Sequence, residues 1–213
     1  REVSVYSLAG ACEIRNVDGK LSFDGGSGGV QVEACRGELK LDLGSGGVSV
    51  AGFDGELSVD TGSGSVRVTD VRGERVHLDT GSGSVTGERV VAADLLVDTG
   101  SGAVDMSQVD TQHAKIDTGS GGVDLGLVCL TPDLDIDTGS GSVRVTLPAD
   151  FSARLHLETG SGGIHSDLPL TIEEKDSGIL RGTMGSGTGR LHVDTGSGRV
   201  SLLASATVRA KAH

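Results

Sequence analysis

One motif recurs along this chain, and its clearest copy is Leu57-Ser58-Val59-Asp60-Thr61-Gly62-Ser63-Gly64-Ser65-Val66-Arg67-Val68. An acid opens each (Asp/Glu)-x-Gly-Ser-Gly copy, at Asp24, Asp42, Asp60, Asp79, Asp98, Asp117, Asp137, Glu158 and Asp194. Successive copies are 18 to 21 residues apart, except that the last step is 36 residues, which is twice 18. Such self-similarity predicts a solenoid, in which each repeat forms one turn and stacks on the next.

Each copy has the alternating pattern of two short β-strands. Leu57 and Val59 share one parity, Ser58 and Asp60 take the other, and the alternation resumes after the glycines. Gly-Ser-Gly therefore forms one corner of the turn, and a segment such as 69–74 forms the second corner. One apolar residue recurs at that second corner, and we expect it to point inward at Val17, Cys35, Phe53 and Val71.

The fold class that follows is all-β, a single-domain parallel β-solenoid of about ten turns of 18–21 residues. Glycine makes up 36 of the 213 residues and recurs in every repeat, which disfavours helices. Strands that recur at this interval stack in parallel about 4.8 Å apart, so the rod would be roughly 45–50 Å long. Parallel crossovers are right-handed, and we expect the coil to be right-handed too.

The repeats also predict how the domain, residues 1–213, is organised. Residues 1–23 form a degenerate first turn, and residues 24–167 form the regular turns. Residues 168–190 break the period with two short extended runs around Asp176-Ser177-Gly178, which predicts a β-hairpin arm that leaves the rod. Residues 191–213 contain the last turn and a tail that is either a cap strand or disordered.

The amino-acid composition argues against several classes of partner and binding site. The formal net charge is −12, which argues against nucleic acid as a partner and against anionic membrane surfaces. No apolar run approaches the roughly 20 residues that span a bilayer. There is no Trp, one Tyr and three Phe, so an aromatic-lined ligand cleft is hard to build. The chain starts mid-strand without Met, which favours a trimmed chain over a complete cytoplasmic protein.

The three cysteines do not predict a disulfide or metal framework. Cys12 and Cys35 occupy positions where other repeats have valine, so both are predicted to be small buried hydrophobic side chains on different parts of the coil. Cys129 lies in the apolar segment 127–130. An odd number of cysteines without close spacing is not typical of a metal site.

The repeated acids form the first candidate site. By parity, Asp60, Asp79, Asp98, Asp117, Asp137, Glu158 and Asp194 face outward in a ladder, while the threonines that follow them face inward. Like charges side by side cost stability, so something must offset them. The favoured explanation is that each carboxylate accepts hydrogen bonds from N–H groups of its own corner. Ca²⁺ bound by the row of hard oxygen ligands is the alternative, although the nonapeptide of calcium β-rolls is absent.

Two histidines form the second candidate site. His77, His156 and His192 all lie two residues before the acid of their repeat. If residues 168–190 loop out, His156 and His192 lie on adjacent turns beside Glu158 and Asp194, a set of side chains that could hold Zn²⁺. The favoured alternative is a pair of solvated side chains on a polar sheet face.

Asp-Thr-Gly-Ser is also the signature of aspartic proteases, which place one copy in each of two lobes so that two carboxylates share a proton. Here the motif occurs six times along a rod, and no segments that could form lobes or a flap surround it. No phosphate-binding loop, Cys–His pair or Ser–His–Asp order stands out either. The sequence therefore predicts a protein that is not an enzyme.

The repeated Leu-x-Val-Asp-Thr-Gly-Ser-Gly-Ser-Val-x-Val resembles the bacterial adhesin-like family of β-solenoid domains of unknown function, and also related autotransporter-like head domains. The likeness covers nearly the whole chain, including the irregular segment before the copy at Asp194. It implies a structural or adhesive module of the cell envelope or extracellular space, with a surface or polymer ligand and a membrane tether outside this chain. Two alternatives stay open: an enzyme that acts on polysaccharide, and a scaffold rod that self-associates through its ends.

Overall fold

The computed structural model describes residues 2–130 and 132–205, and its regular structure consists of β-strands. In chain order they are β1 (Glu2–Ala9), β2 (Cys12–Arg15), β3 (Asp18–Ser27), β4 (Val30–Glu33), β5 (Arg36–Ser45), β6 (Val48–Thr61), β7 (Val66–Thr80), β8 (Val85–Thr99), β9 (Val104–Thr118), β10 (Val123–Leu127), β11 (Asp133–Thr138), β12 (Val143–Leu147), β13 (Ala153–Thr159), β14 (Ile164–Ser166), β15 (Thr171–Asp176), β16 (Ile179–Met184), β17 (Gly189–Thr195) and β18 (Val200–Ala204). The described residues include no helix long and apolar enough to cross a membrane.

The strands form a parallel β-solenoid, which confirms the predicted fold class. Eight turns stack in chain order, from β1–β2 through β3–β4 to β11–β12, and β6 to β9 each run round the second corner into the next turn. Equivalent repeat positions pair in register, as at Leu39 and Leu57. Two further turns, β13–β14 and β17–β18, complete the stack.

The core is a set of inward-facing ladders. One ladder, fully or almost fully buried, consists of Leu41, Val59, Leu78, Val97, Ile116, Ile136, Val193 and Leu157. Burying an aliphatic side chain of this size stabilises the fold by about 1.5–3 kcal/mol. The period-two alternation therefore places the apolar parity inside and leaves the polar parity on the faces of the rod.

The Gly-Ser-Gly corners are tight because neighbouring turns approach each other there through their backbones. A Cβ atom added to Gly83 would lie 1.8 Å from the carbonyl oxygen of Gly64 in the preceding turn, and one added to Gly102 would lie 1.7 Å from that of Gly83. No side chain fits into such a contact. The second glycine of the motif is therefore required by packing between turns.

The second corners use a left-handed residue. Asn16, Ala34, Gly52, Asp70, Arg89 and Gln108 all have φ between 52° and 64°. Because that conformation re-aims the chain, the next residue turns into the core. Cys35, Phe53 and Val71 are accordingly buried, and Val17 is half-buried, as predicted for this corner.

The closing end of the rod departs from the predicted arrangement in two ways. β15 and β16 do form a hairpin around Ser177-Gly178, but β16 pairs antiparallel with β13, so the hairpin closes the rod and does not leave it. The reason is that β16 covers the open edge of β13 and buries Leu180 and Met184. The predicted tail lies outside the described residues beyond residue 205.

The last turn is also out of chain order. β17 lies between β11 and β13, and β18 lies between β12 and β14. The chain leaves one layer open after β12, builds β13–β14 and the hairpin beyond it, and then returns to fill that layer. This return accounts for the double-length step of 36 residues between the copies at Glu158 and Asp194.

Candidate functional site: the acid ladder and the histidine pair

The structure brings the repeated acids into one continuous ladder. Each acid lies at the end of the strand that enters the Gly-Ser-Gly corner, and parallel pairing puts each one beside its equivalent in the next turn. The order along the rod is Asp24, Asp42, Asp60, Asp79, Asp98, Asp117, Asp137, Asp194 and Glu158. We call this row the acid ladder. Neighbouring strands are about 4.8 Å apart, so its carboxylates are close enough to repel one another.

The pKa values of two ladder acids reflect that repulsion. Partial burial, together with the charges of Asp60 and Asp98, raises the pKa of Asp79 above its ordinary value, and His77 offsets part of the effect. Asp137 also has a raised pKa, because of burial and its acidic neighbours, chiefly Asp117. A raised carboxyl pKa means that the folded state disfavours the charged form. These ladder acids therefore weaken the fold at neutral pH.

Among the described residues, no acid of the ladder accepts a hydrogen bond from its own corner, so that interpretation of the sequence was wrong. The capping group is the inward threonine: the hydroxyl of Thr80 accepts a hydrogen bond from the N–H of Gly83 at 3.1 Å and donates one to the carbonyl of Gly64 at 2.9 Å. The same carbonyl-directed bond recurs at Thr61, Thr99, Thr118, Thr138, Thr195 and Thr159. The threonine that recurs at this inward position in seven of the nine copies was the sequence signal for this role.

Basic side chains lie elsewhere on the surface. Ion pairs between adjacent turns join Arg15 to Glu33 at 2.8 Å, Lys20 to Glu38 at 2.7 Å and Arg144 to Asp124 at 2.9 Å. In the described ranges 2–130 and 132–205, the aspartates of the acid ladder form no salt bridge. Among the described residues, the eight aspartates of the acid ladder thus form a charged row without basic salt-bridge partners, whereas Glu158 lies near His156.

The histidine pair forms as the spacing predicted, because the last turn lies directly against β13. The rings of His156 and His192 have their centroids 4.9 Å apart, and His156 Nε2 lies 3.8 Å from Glu158 Oε2. Arg181 of the hairpin also reaches this place: its Nη2 lies 3.4 Å from His156 Nε2, while its Nη1 donates to Glu174 at 2.6 Å. A guanidinium so close to the imidazole opposes the binding of a second cation.

The candidate metal ligands lie on neighbouring strands in register, but among the described residues they do not surround a common metal position. Among residues 2–130 and 132–205, no group of three or more His, Cys, Asp or Glu side chains has an arrangement that could hold a metal ion. Asp60, Asp79, Asp98, Asp117 and Asp137 follow one another along the rod, whereas His156, Glu158, His192 and Asp194 lie together at its closing end. The three cysteines are free thiols, with Cys35 buried and Cys12 and Cys129 half-buried.

Comparison with protein families identifies a family that matches most of the chain. The model of the Toastrack DUF4097 family matches residues 36–203. The chain belongs to this family. The match begins at the first residue of β5 and ends within β18, so it includes the hairpin and the last turn and leaves out the first two turns. The family is a domain of unknown function, so the match gives no evidence for the adhesin-like family suggested by the repeats. No curated protein and no solved structure gives a significant match to the chain.

One hydroxyl that sequence analysis missed holds the Toastrack domain's closing end together. Ser152 is buried, and its Oγ accepts hydrogen bonds from the N–H groups of Ser186 at 3.0 Å and Thr188 at 3.3 Å. The Ser152 carbonyl also accepts from Gly189 N–H at 2.9 Å. Gly185-Ser186-Gly187, which looks like a displaced copy of the motif, is therefore the loop that returns the chain from β16 to β17. A single serine outside the repeated motif carries no pattern that reveals this contact in advance.

Proposed function

We propose that the chain is a non-enzymatic structural module, adhesin-like in role, that presents its flat faces to an extended surface or polymer ligand. The observation that carries this proposal is the acid ladder, nine carboxylates in register along a rigid rod, whose aspartates lack basic partners among the described residues. A row of equal charges at a constant spacing complements a polymer that carries positive charge at intervals. We place the module in the cell envelope or outside the cell, with a tether beyond this chain.

The ligand class can be tested with immobilised polymers. The probes are polylysine, a cationic glucosamine polymer, a neutral glucan and an anionic polymer. We expect the protein to be retained by the cationic probes, with retention falling as salt rises, because exposed charges are screened over about 8–10 Å. The test variant is Asp79→Asn/Asp98→Asn/Asp117→Asn, which removes three adjacent charges of the acid ladder.

The matched control removes three acids from the other face, Glu88→Gln/Asp105→Asn/Asp124→Asn. Both variants lose the same net charge, so only the position of the loss differs. Equal loss of retention in the two variants would mean that net charge, and not the acid ladder, attracts the polymer. Retention by none of the four probes would reject the proposed ligand class.

A second role, a scaffold rod that associates end to end, is favoured by one observation. Among the described residues, β1 pairs only with β3, and along it Val3, Tyr6 and Leu8 have exposed fractions of 42%, 80% and 92%. An exposed apolar edge strand is a template for pairing with another chain. Light scattering over a concentration series would show association that Tyr6→Lys/Leu8→Lys abolishes; a wild-type rod that stays monomeric throughout would reject this role. The remaining alternative, an enzyme that acts on polysaccharide, is supported by the fold class alone.

A further inference from the structure

The last turn fills a slot between two layers that the chain has already built. β17 pairs with β11 over Asp133–Thr138 and with β13 over Ala153–Thr159, in parallel and in register on both sides. β18 pairs in the same way with β12 and β14. Every earlier turn can be added to an exposed edge, but this turn must enter between two edges. We call the layer that it occupies the slot.

The slot holds the last turn by contacts that do not depend on the covalent connection. Leu191, Val193, Val200 and Leu202 of this turn are fully buried. The threonine hydrogen bonds also run through it: Thr195 donates to the Gly141 carbonyl, and Thr159 donates to the Gly198 carbonyl, each at 2.8 Å. Without the last turn, the slot would expose apolar side chains and two sets of unpaired backbone groups, so it is a preformed acceptor for a strand of this repeat.

The connection to the last turn is short, exposed and rich in glycine. It consists of residues 185–188, where Gly185 and Gly187 have φ of 57° and 70°. Its conformation is stabilised by Ser152, which accepts from the N–H groups of Ser186 and Thr188. Opening this loop breaks those bonds at Ser152 while leaving all contacts within the slot available.

From this arrangement we propose that the last turn, residues 189–204, exchanges between two copies of the chain. In the exchanged dimer, the last turn of each copy lies in the slot of the other, with residues 185–188 extended as the hinge. The slot contacts are the same in both forms, so the forms differ in the hinge and in the Ser152 bonds. Exchange of an identical element is a low-cost route to a dimer. This inference is independent of the proposed ligand binding.

The experiment uses full-length single-cysteine variants in a background with Cys12→Ala, Cys35→Ala and Cys129→Ala. Asp135 on β11 pairs in register with His192 on β17. One preparation carries Asp135→Cys and the other carries His192→Cys, and the two are unfolded, mixed at high concentration and refolded together. Paired residues on adjacent strands lie within the Cα distance that a disulfide spans. We expect mild oxidation to produce a covalent heterodimer, because only exchange brings these two thiols together.

Two controls make the result decisive. A mixture of Lys115→Cys and Asp135→Cys tests collisions, since this in-register pair lies on β9 and β11 and exchange does not join it across copies. The double variant Asp135→Cys/His192→Cys in one chain shows that the geometry permits the bond. A heterodimer in the test mixture, in clear excess over the Lys115 control, supports exchange.

Two results would overturn the proposal. One is the absence of heterodimer where the double variant cross-links efficiently, and the other is equal yield in the test and collision mixtures. Native mass spectrometry of co-refolded light and isotope-labelled wild-type chains provides a readout that does not depend on cysteine variants. A mixed dimer is expected there, and its proportion should rise several-fold in Ser152→Ala, because that substitution removes bonds that favour the unexchanged loop.

Discussion

The two ends of the rod differ in how the open edge of the parallel stack is covered. At the first end, β1 has one edge without a partner strand in the part of the chain that the structure describes, and 42% of Val3 is exposed although Val3 has the parity of the core. At the other end, the antiparallel β16 covers β13, and the side chains of Leu180 and Met184 are buried. A parallel stack always offers a further edge, whereas a strand that reverses direction stops the repeat. The contrast shows that the strand that covers the edge of the stack comes from a segment outside the repeat pattern.

The family match also separates the first end of the rod from the closing end. It starts at Arg36 and contains the hairpin and the last turn, while the first two turns lie outside it. The closing end is thus part of the Toastrack domain that the family model describes. The largest effects of mutation are expected in that closing end.

The same substitution at the two ends should have very different effects. Leu191 is fully buried in the last turn, and Leu8 is 92% exposed on β1. Leu191→Ala leaves a cavity and should lower the free energy of unfolding by about 2–5 kcal/mol. Leu8→Ala should change it by less than about 0.5 kcal/mol. Urea denaturation measures both, and similar losses in the two variants would contradict the contrast between the ends.

Removing the hydroxyl of Ser152 should weaken the closing end by a smaller amount. Ser152→Ala removes the acceptor of the N–H groups of Ser186 and Thr188. Because both residues are exposed and can bond to water, the free energy of unfolding should fall by about 0.5–1.5 kcal/mol. Hydrogen exchange should accelerate in residues 185–195 and stay unchanged in β1. The matched control is Ser177→Ala in the exposed hairpin turn, for which no measurable change is expected. Loss of protection along the whole rod would argue against a local role.

Relief of charge in the middle of the rod should have the smallest effect, and it should be stabilising. Asp79→Asn removes a carboxylate whose pKa is raised by burial and by Asp60 and Asp98, and it should raise the free energy of unfolding at pH 7 by about 0.2–1 kcal/mol. The control is Asp54→Asn, because Asp54 lies in register between Arg36 and Arg72 and should show no gain. Urea titrations at pH 7 compare the variants.

The pH dependence provides an independent check on the acid ladder. Because the folded pKa of Asp79 lies above its ordinary value of 3.8, the charged form is penalised at any pH above the raised pKa. The advantage of Asp79→Asn over the wild type should therefore be complete at neutral pH, decline as the pH falls through the raised pKa, and vanish below about 3.8. An advantage that grows on acidification would show that the direction of the pKa shift is wrong.

Prediction from the sequence succeeded where the determinant is local. Alternation around Asp60 placed the core residues inside, and the recurring glycines predicted the corners at which turns touch. It failed for the capping group, because Asp79 and Thr80 can both accept a hydrogen bond and only the position of the inward hydroxyl selects threonine. It also missed Ser152, whose partners are more than thirty residues away along the chain.

By itself the sequence of this protein determined a parallel stack of two-stranded turns, the parity of each side chain and the rows that face solvent. These properties depend on a period of two and on glycine at the corners, which act within a few residues. The spacing also predicted that the turns of His156 and His192 are neighbours, but the tertiary structure alone decided that the last turn enters between β11 and β13. The motif copies at Asp137, Glu158 and Asp194 present nearly the same edges, so local pattern cannot rank their pairings. The order is set by the hairpin, which covers β13 and sends the last turn back between β11 and β13.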